Sequence, residues 1–130
     1  MRPYEKIIVD AVIGNFSENI QRLLRSQLKQ KYFVERSNER INVFRFYGAN
    51  NRLSIQDPNF DDMLINVQID VDGKVQTAHV TFYKGYVFSI EFKKPGSFYV
   101  GKKINVRDIQ TGNPDQAYTI GINRIEHGKE

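Results

Sequence analysis

Residues 63–92 read MLINVQIDVDGKVQTAHVTFYKGYVFSIEF, three alternating apolar and polar runs separated by Asp72-Gly73 and Lys84-Gly85. A period of two marks a half-buried strand, and Asp-Gly between two such runs is the strongest short hairpin signal. A two-residue turn at Asp72-Gly73 pairs Val71 with Lys74, Val67 with Ala78 and Ile65 with Val80. At Lys84-Gly85 two loop lengths compete. A two-residue loop sets Phe82 opposite Val87 and Val80 opposite Ser89, mixing apolar with polar partners. A three-residue loop with Gly85 left-handed pairs Phe82 with Tyr86, Val80 with Phe88 and Ala78 with Ile90. Since a slip of one residue turns every side chain to the other face, the longer loop is expected.

That register gives the sheet two distinct faces. One carries Met63, Ile65, Val67, Ile69, Ala78, Val80, Phe82, Tyr86, Phe88, Ile90 and Phe92. Burying such side chains is worth roughly 1.5–3 kcal/mol each, so this face is the expected core. The other carries Asn66, Gln68, Asp70, Thr77, His79, Thr81, Ser89 and Glu91, with Leu64, Val75 and Val87 among them. One solvated face is ordinary for antiparallel sheets.

Outward from this stretch, further strands are expected at 31–36, 41–47, 52–56, 104–109 and 116–122. Turn-rich pieces such as Ser37-Asn38, Gly48-Ala49-Asn50-Asn51 and Gly112-Asn113-Pro114 separate them. The first thirty residues have helical spacing instead. Pro3 suits a first helical turn, Tyr4, Ile7, Ile8, Ala11 and Val12 repeat as one stripe, and Gly14 stops the helix. Asn15 and Glu18 resemble a capping box for a second helix. Its apolar stripe is Ile20, Leu23, Leu24 and Leu28, opposite Arg22, Arg25 and Lys29. Two helices followed by a run of strands predict an α+β fold, with N-terminal helices packed on one face of a mostly antiparallel meander. Residues 1–126 are expected to form one domain and 127–130 a mobile polar tail.

At 130 residues the chain can bury a core without metal or disulfide. It has no cysteine, which removes a disulfide framework, a thiolate zinc site and a cysteine nucleophile together. No apolar run approaches the ~20 residues of a bilayer span, and the N-terminus does not read as a signal peptide, so a soluble cytoplasmic protein is expected. Net charge is +4, but the 19 basic and 15 acidic residues are interspersed, as ordinary solubility charge is.

Four constellations invite a chemical reading. Residues 96–103, GSFYVGKK, match a phosphate-binding loop except at Lys103, where Ser or Thr would hold magnesium. The strand period that follows argues against the helix such a loop must open. Lys93, Lys94, Lys102, Lys103 and Arg107 surround Phe98 and Tyr99, a composition that holds single-stranded nucleic acid when the rings are exposed. The same aromatics could equally fold back onto the core. Asp57-Pro58-Asn59-Phe60-Asp61 begins like a calcium loop but lacks the glycine and the bidentate glutamate, leaving an Asx-type turn. Finally, His79 is expected opposite Ser89 and Asn66 with Glu91 diagonal. A mid-strand serine on an open sheet has no oxyanion donors, and His127, the second histidine, falls in the tail.

The expectation that results is a non-enzymatic protein-binding module of inhibitor, immunity or adaptor type. Its contact surface is Asn66, Gln68, Thr77, His79, Thr81, Ser89 and Glu91, and it takes no cofactor and no metal. One alternative is nucleic-acid or polyanion binding through Lys93, Lys94, Phe98, Tyr99, Lys102, Lys103 and Arg107. The other is a small enzyme with a site around His79. A membrane is not an expected partner.

Overall fold

The computed structural model describes residues 1–47 and 52–111. The turn expected at 48–51, the strand expected at 116–122, His127 and the tail lie outside the described residues. Among the described residues two helices, α1 (Pro3–Ile13) and α2 (Glu18–Lys29), precede six strands. These are β1 (Tyr32–Ser37), β2 (Ile41–Phe46), β3 (Asp62–Val71), β4 (Lys74–Tyr83), β5 (Tyr86–Phe92) and β6 (Ile104–Thr111). They form one antiparallel sheet in the order β1-β2-β5-β4-β3-β6. The meander β3-β4-β5 is its centre, with the β1–β2 hairpin added beside β5 and β6 beside β3. The α+β architecture stands, with both helices on one face of the sheet.

The core lies between helices and sheet. Ile8, Val9, Val12 and Ile13 of α1, with Ile20 and Leu24 of α2, meet Ile65, Val67, Ile69, Val80, Phe82 and Ile90. The α1 stripe is rotated from the expected one: Val9 and Ile13 are inside, while Ile7 is 42% exposed. The second helix starts at Ser17, not Asn15, whose side chain instead donates to Ala11 O at 2.8 Å and closes α1. Arg22, Arg25 and Lys29 are exposed as expected.

The β3–β4 hairpin has the expected register at all three pairs, Val71↔Lys74, Val67↔Ala78 and Ile65↔Val80. The β4–β5 register is different. Lys84-Gly85 is a two-residue turn with φ of 51° and 80°, closed by Tyr83↔Tyr86 and Phe82↔Val87. The β5 strand then bulges, so that Thr81 faces Ser89 and Val80 faces Ile90. Both rules are satisfied at once. The short turn matches strand twist, and one extra residue, Phe88, returns Ile90 and Phe92 to the core. Val87, expected on the polar face, is buried, while Tyr86 and Phe88 are only half-buried.

The strand expected at 52–56 is absent. That segment instead packs on the β4–β5 turn: Ile55 N donates to Gly85 O at 2.9 Å. The fully buried Gln27 joins the two to α2, donating to Leu53 O at 2.8 Å and Gly85 O at 2.7 Å and accepting from Val87 N at 3.1 Å. A second buried polar group, Glu5, accepts from Arg36 Nη2 at 2.7 Å, Asn42 Nδ2 at 2.6 Å and Arg2 N at 2.6 Å. A carboxylate beneath a helix needs such partners, because a buried ion left unpaired costs several kcal/mol. This knot ties α1 to the β1–β2 hairpin.

Candidate functional site

Because α1 and α2 both cover one face, no helix among the described residues lies over the sheet's other face. Alternation along the strands puts Asn66 and Gln68 of β3 there, with Thr77, His79 and Thr81 of β4 and Ser89 and Glu91 of β5. All seven expected contact residues therefore share this outer face, in three neighbouring cross-strand rows. The central row runs Asn66, His79, Glu91, continued by Ile41 on β2 and Gln110 on β6. Beside it, Leu64, Thr81, Ser89 and Val43 form a second row, and Gln68 with Thr77 begins the third.

The bulge changes which of these side chains can meet. Glu91, expected diagonal to His79, is directly opposite it, and Ser89, expected opposite, faces Thr81. The Thr81 and Ser89 hydroxyls lie 2.6 Å apart and share a hydrogen bond, with Ser89 only 2% exposed. That hydroxyl is occupied by threonine in the row beside the imidazole's, and no Ser89–His79 hydrogen bond forms, so a serine–histidine nucleophile is not assembled here. Burial pushes the His79 pKa down from 6.5, helped by Lys93, while Glu91 pulls it up. The imidazole is thereby biased toward its neutral form, a donor and an acceptor at once. Among the described residues no three His, Asp or Glu side chains are grouped to hold a metal ion.

Around the polar rows stands an apolar frame that the sequence pattern did not single out. Phe33 of β1 and Tyr47 just past β2 are 46% and 52% exposed, their rings 5.6 Å apart. At the β4–β5 turn Tyr83, 49% exposed, meets Phe88 at 5.6 Å, and Val75, 47% exposed, stands at the far end of β4. The signal was available: Phe33 and Tyr47 have polar-face parity within their own strands, next to inward-facing Tyr32 and Phe46. Two ion pairs lie on this face, Glu35–Arg45 at 2.9 Å and Asp70–Arg107 at 3.6 Å, and Glu91 and Asp108 add acidic charge beyond them.

The basic segment is built differently. Lys93, Lys94, Lys102 and Lys103 are exposed, but Tyr99 is 1% exposed and packs on Phe92 and Tyr4 with centroids 4.7 and 5.6 Å away. Phe98 is half-buried, with Lys102 Nζ 3.9 Å and Lys94 Nζ 5.7 Å from its ring centre. Tyr99 thus has no face open to a base, and Phe98 already serves the lysines. Arg107 stands apart on the outer face, paired with Asp70. After Lys103 the chain enters β6, so no helix opens from the phosphate-loop-like residues 96–103. The Asp57 segment is the expected Asx turn, with Asp57 Oδ1 accepting from Asn59 N at 3.0 Å before a short 3₁₀ turn.

No helix of the described residues is long and apolar enough to cross a membrane. Compared with protein-family models, with curated proteins and with solved structures, the chain matches none of them.

Proposed function

We propose that this protein is a binding module that docks a protein partner on the outer face of its sheet. One observation carries the reading: polar rows through Asn66, His79 and Glu91 are framed by the exposed apolar side chains Phe33, Tyr47, Tyr83 and Val75 on a face that no helix among the described residues covers. Aromatic anchors beside oriented hydrogen-bonding groups are the composition of protein contact surfaces. The acidic surplus of Glu91 and Asp108 over two neutralised pairs favours a protein over a polyanion, because a phosphate backbone needs a surplus of cations. The partner's matching surface offers apolar side chains to the two aromatic pairs and hydrogen-bonding groups to the central row. No enzymatic step is assigned to His79, whose neighbours are Glu91 and Asn66.

The test compares capture by the wild-type chain with capture by variants. Glu91→Arg and His79→Trp each should abolish recovery of the same protein partner while leaving the melting temperature nearly unchanged. Alanine at Lys93, Lys94, Lys102 and Lys103 together should leave recovery intact. The opposite pattern, with binding lost only in the lysine variant and falling steeply with salt, would assign the function to polyanion binding instead.

A further inference from the structure

Away from the outer face, a cavity of about 1090 Å³ opens where the first turn of α1, the β1–β2 turn and the 95–102 loop meet. Its composition is uneven. Ile7 and Val100 line it and remain 42% and 57% exposed, so two apolar side chains face water across the same opening. Arg2, Arg36 and Lys102 also line it, and they are not equivalent. Arg36 is neutralised by Glu5 at 2.7 Å. Arg2 and Lys102 have no acidic partner among the described residues, although Lys102 Nζ donates to Phe98 O at 2.5 Å. Against these three cations stand Glu39 on the wall and Glu5 beneath it, so the cavity keeps one net positive charge.

Gly96 keeps the charged end open. A Cβ there would stand 3.0 Å from the Tyr4 hydroxyl and 3.3 Å from Arg2 Nη1. That hydroxyl is buried without a hydrogen-bond partner, beside the guanidinium across Gly96. The N-terminal end of α1 adds its partial positive charge at the same place.

We propose that this cavity binds a small amphiphilic anion, a carboxylate or phosphate head on an apolar body. The head sits at Arg2 and Lys102, and the body lies along Ile7 and Val100. Ligand cavities combine apolar lining with a few convergent polar groups, and one uncompensated cation selects a single anionic head. The site is independent of the outer face and stands or falls separately from it.

Calorimetric titration with octanoate, octyl phosphate, 1-octanol and inorganic phosphate tests this, with amide chemical shifts locating the site. Saturable one-to-one binding of octanoate or octyl phosphate is expected, whichever is tighter naming the head. Both 1-octanol and inorganic phosphate should bind at least about tenfold more weakly, about 1.4 kcal/mol. Shifts should concentrate at Ile7, Gly96 and Val100. Arg2→Ala and Lys102→Ala, both at exposed positions, should each weaken octanoate at least about tenfold without changing the melting temperature of the free protein. Absence of saturable binding by either anion would overturn the proposal. So would 1-octanol binding equally well and indifferent to Arg2→Ala, or shifts confined to the outer face.

Discussion

The β3–β4 and β4–β5 turns share a backbone conformation and differ in everything around it. Asp72-Gly73 has φ of 50° and 87°, and Lys84-Gly85 has 51° and 80°, both two-residue turns in the left-handed region. At Gly73 an added Cβ would meet nothing within 4 Å. At Gly85 it would stand 2.5 Å from Ile55 O and 2.6 Å from Ile55 N. The first glycine is required by its own φ alone. The second is required by φ and by another segment of backbone lying against it. Identical local geometry therefore hides two different structural duties, one local and one tertiary.

Substitutions at the two turns can break that contrast. Gly85→Ala should cost roughly 3–5 kcal/mol, combining left-handed strain with displacement of the 52–56 segment. A urea midpoint no lower than that of Gly73→Ala would refute the contrast. Next comes Gln27→Ala, which leaves Leu53 O and Val87 N without their buried partner and should cost about 2–3 kcal/mol. It should also speed hydrogen exchange at Val87 and leave Lys74 unchanged. Gly73→Ala should cost about 1–2 kcal/mol, the price of the left-handed φ alone.

The smallest effect falls midway between the turns, at His79 on β4. Its pKa is lowered in the folded protein, chiefly by burial, so protonation favours unfolding. The stability it contributes is complete above its ordinary value of 6.5 and declines as pH falls through the lower folded value. In His79→Gln, that part of the decline should vanish from a plot of urea midpoint against pH. An unchanged slope would mean that Lys93 and burial do not act on the imidazole as described.

Much of the central sheet was legible because its rules are local. The Asp72-Gly73 turn sets the β3–β4 pairs, and those pairs place Asn66, Gln68, Thr77, His79 and Thr81 on one face. On β5 the same logic failed. Alternation alone ties turn length to register, whereas the bulge separates them and moves Glu91 opposite His79. Glu5 was equally opaque: a glutamate in a first helical turn ordinarily faces water, and its partner Arg36 is 31 positions away. The candidate face was thus readable in its polar centre. Its apolar frame was legible only as the strand parity of Phe33 and Tyr47, because those rings join the face only once β2 pairs with β5.

The residues alone determined where strands alternate, where helices give way to strands, and that Gly73 and Gly85 sit in turns. Each follows from sterics and side-chain period within a few positions. Tertiary structure decided the strand order, the bulge at Phe88, the burial of Gln27 and Glu5, and the loss of the strand expected at 52–56. Those outcomes depend on satisfying buried polar groups and filling the core across many residues of separation. Local preference cannot encode that, because the partner that meets each buried group arrives only when distant segments close on it.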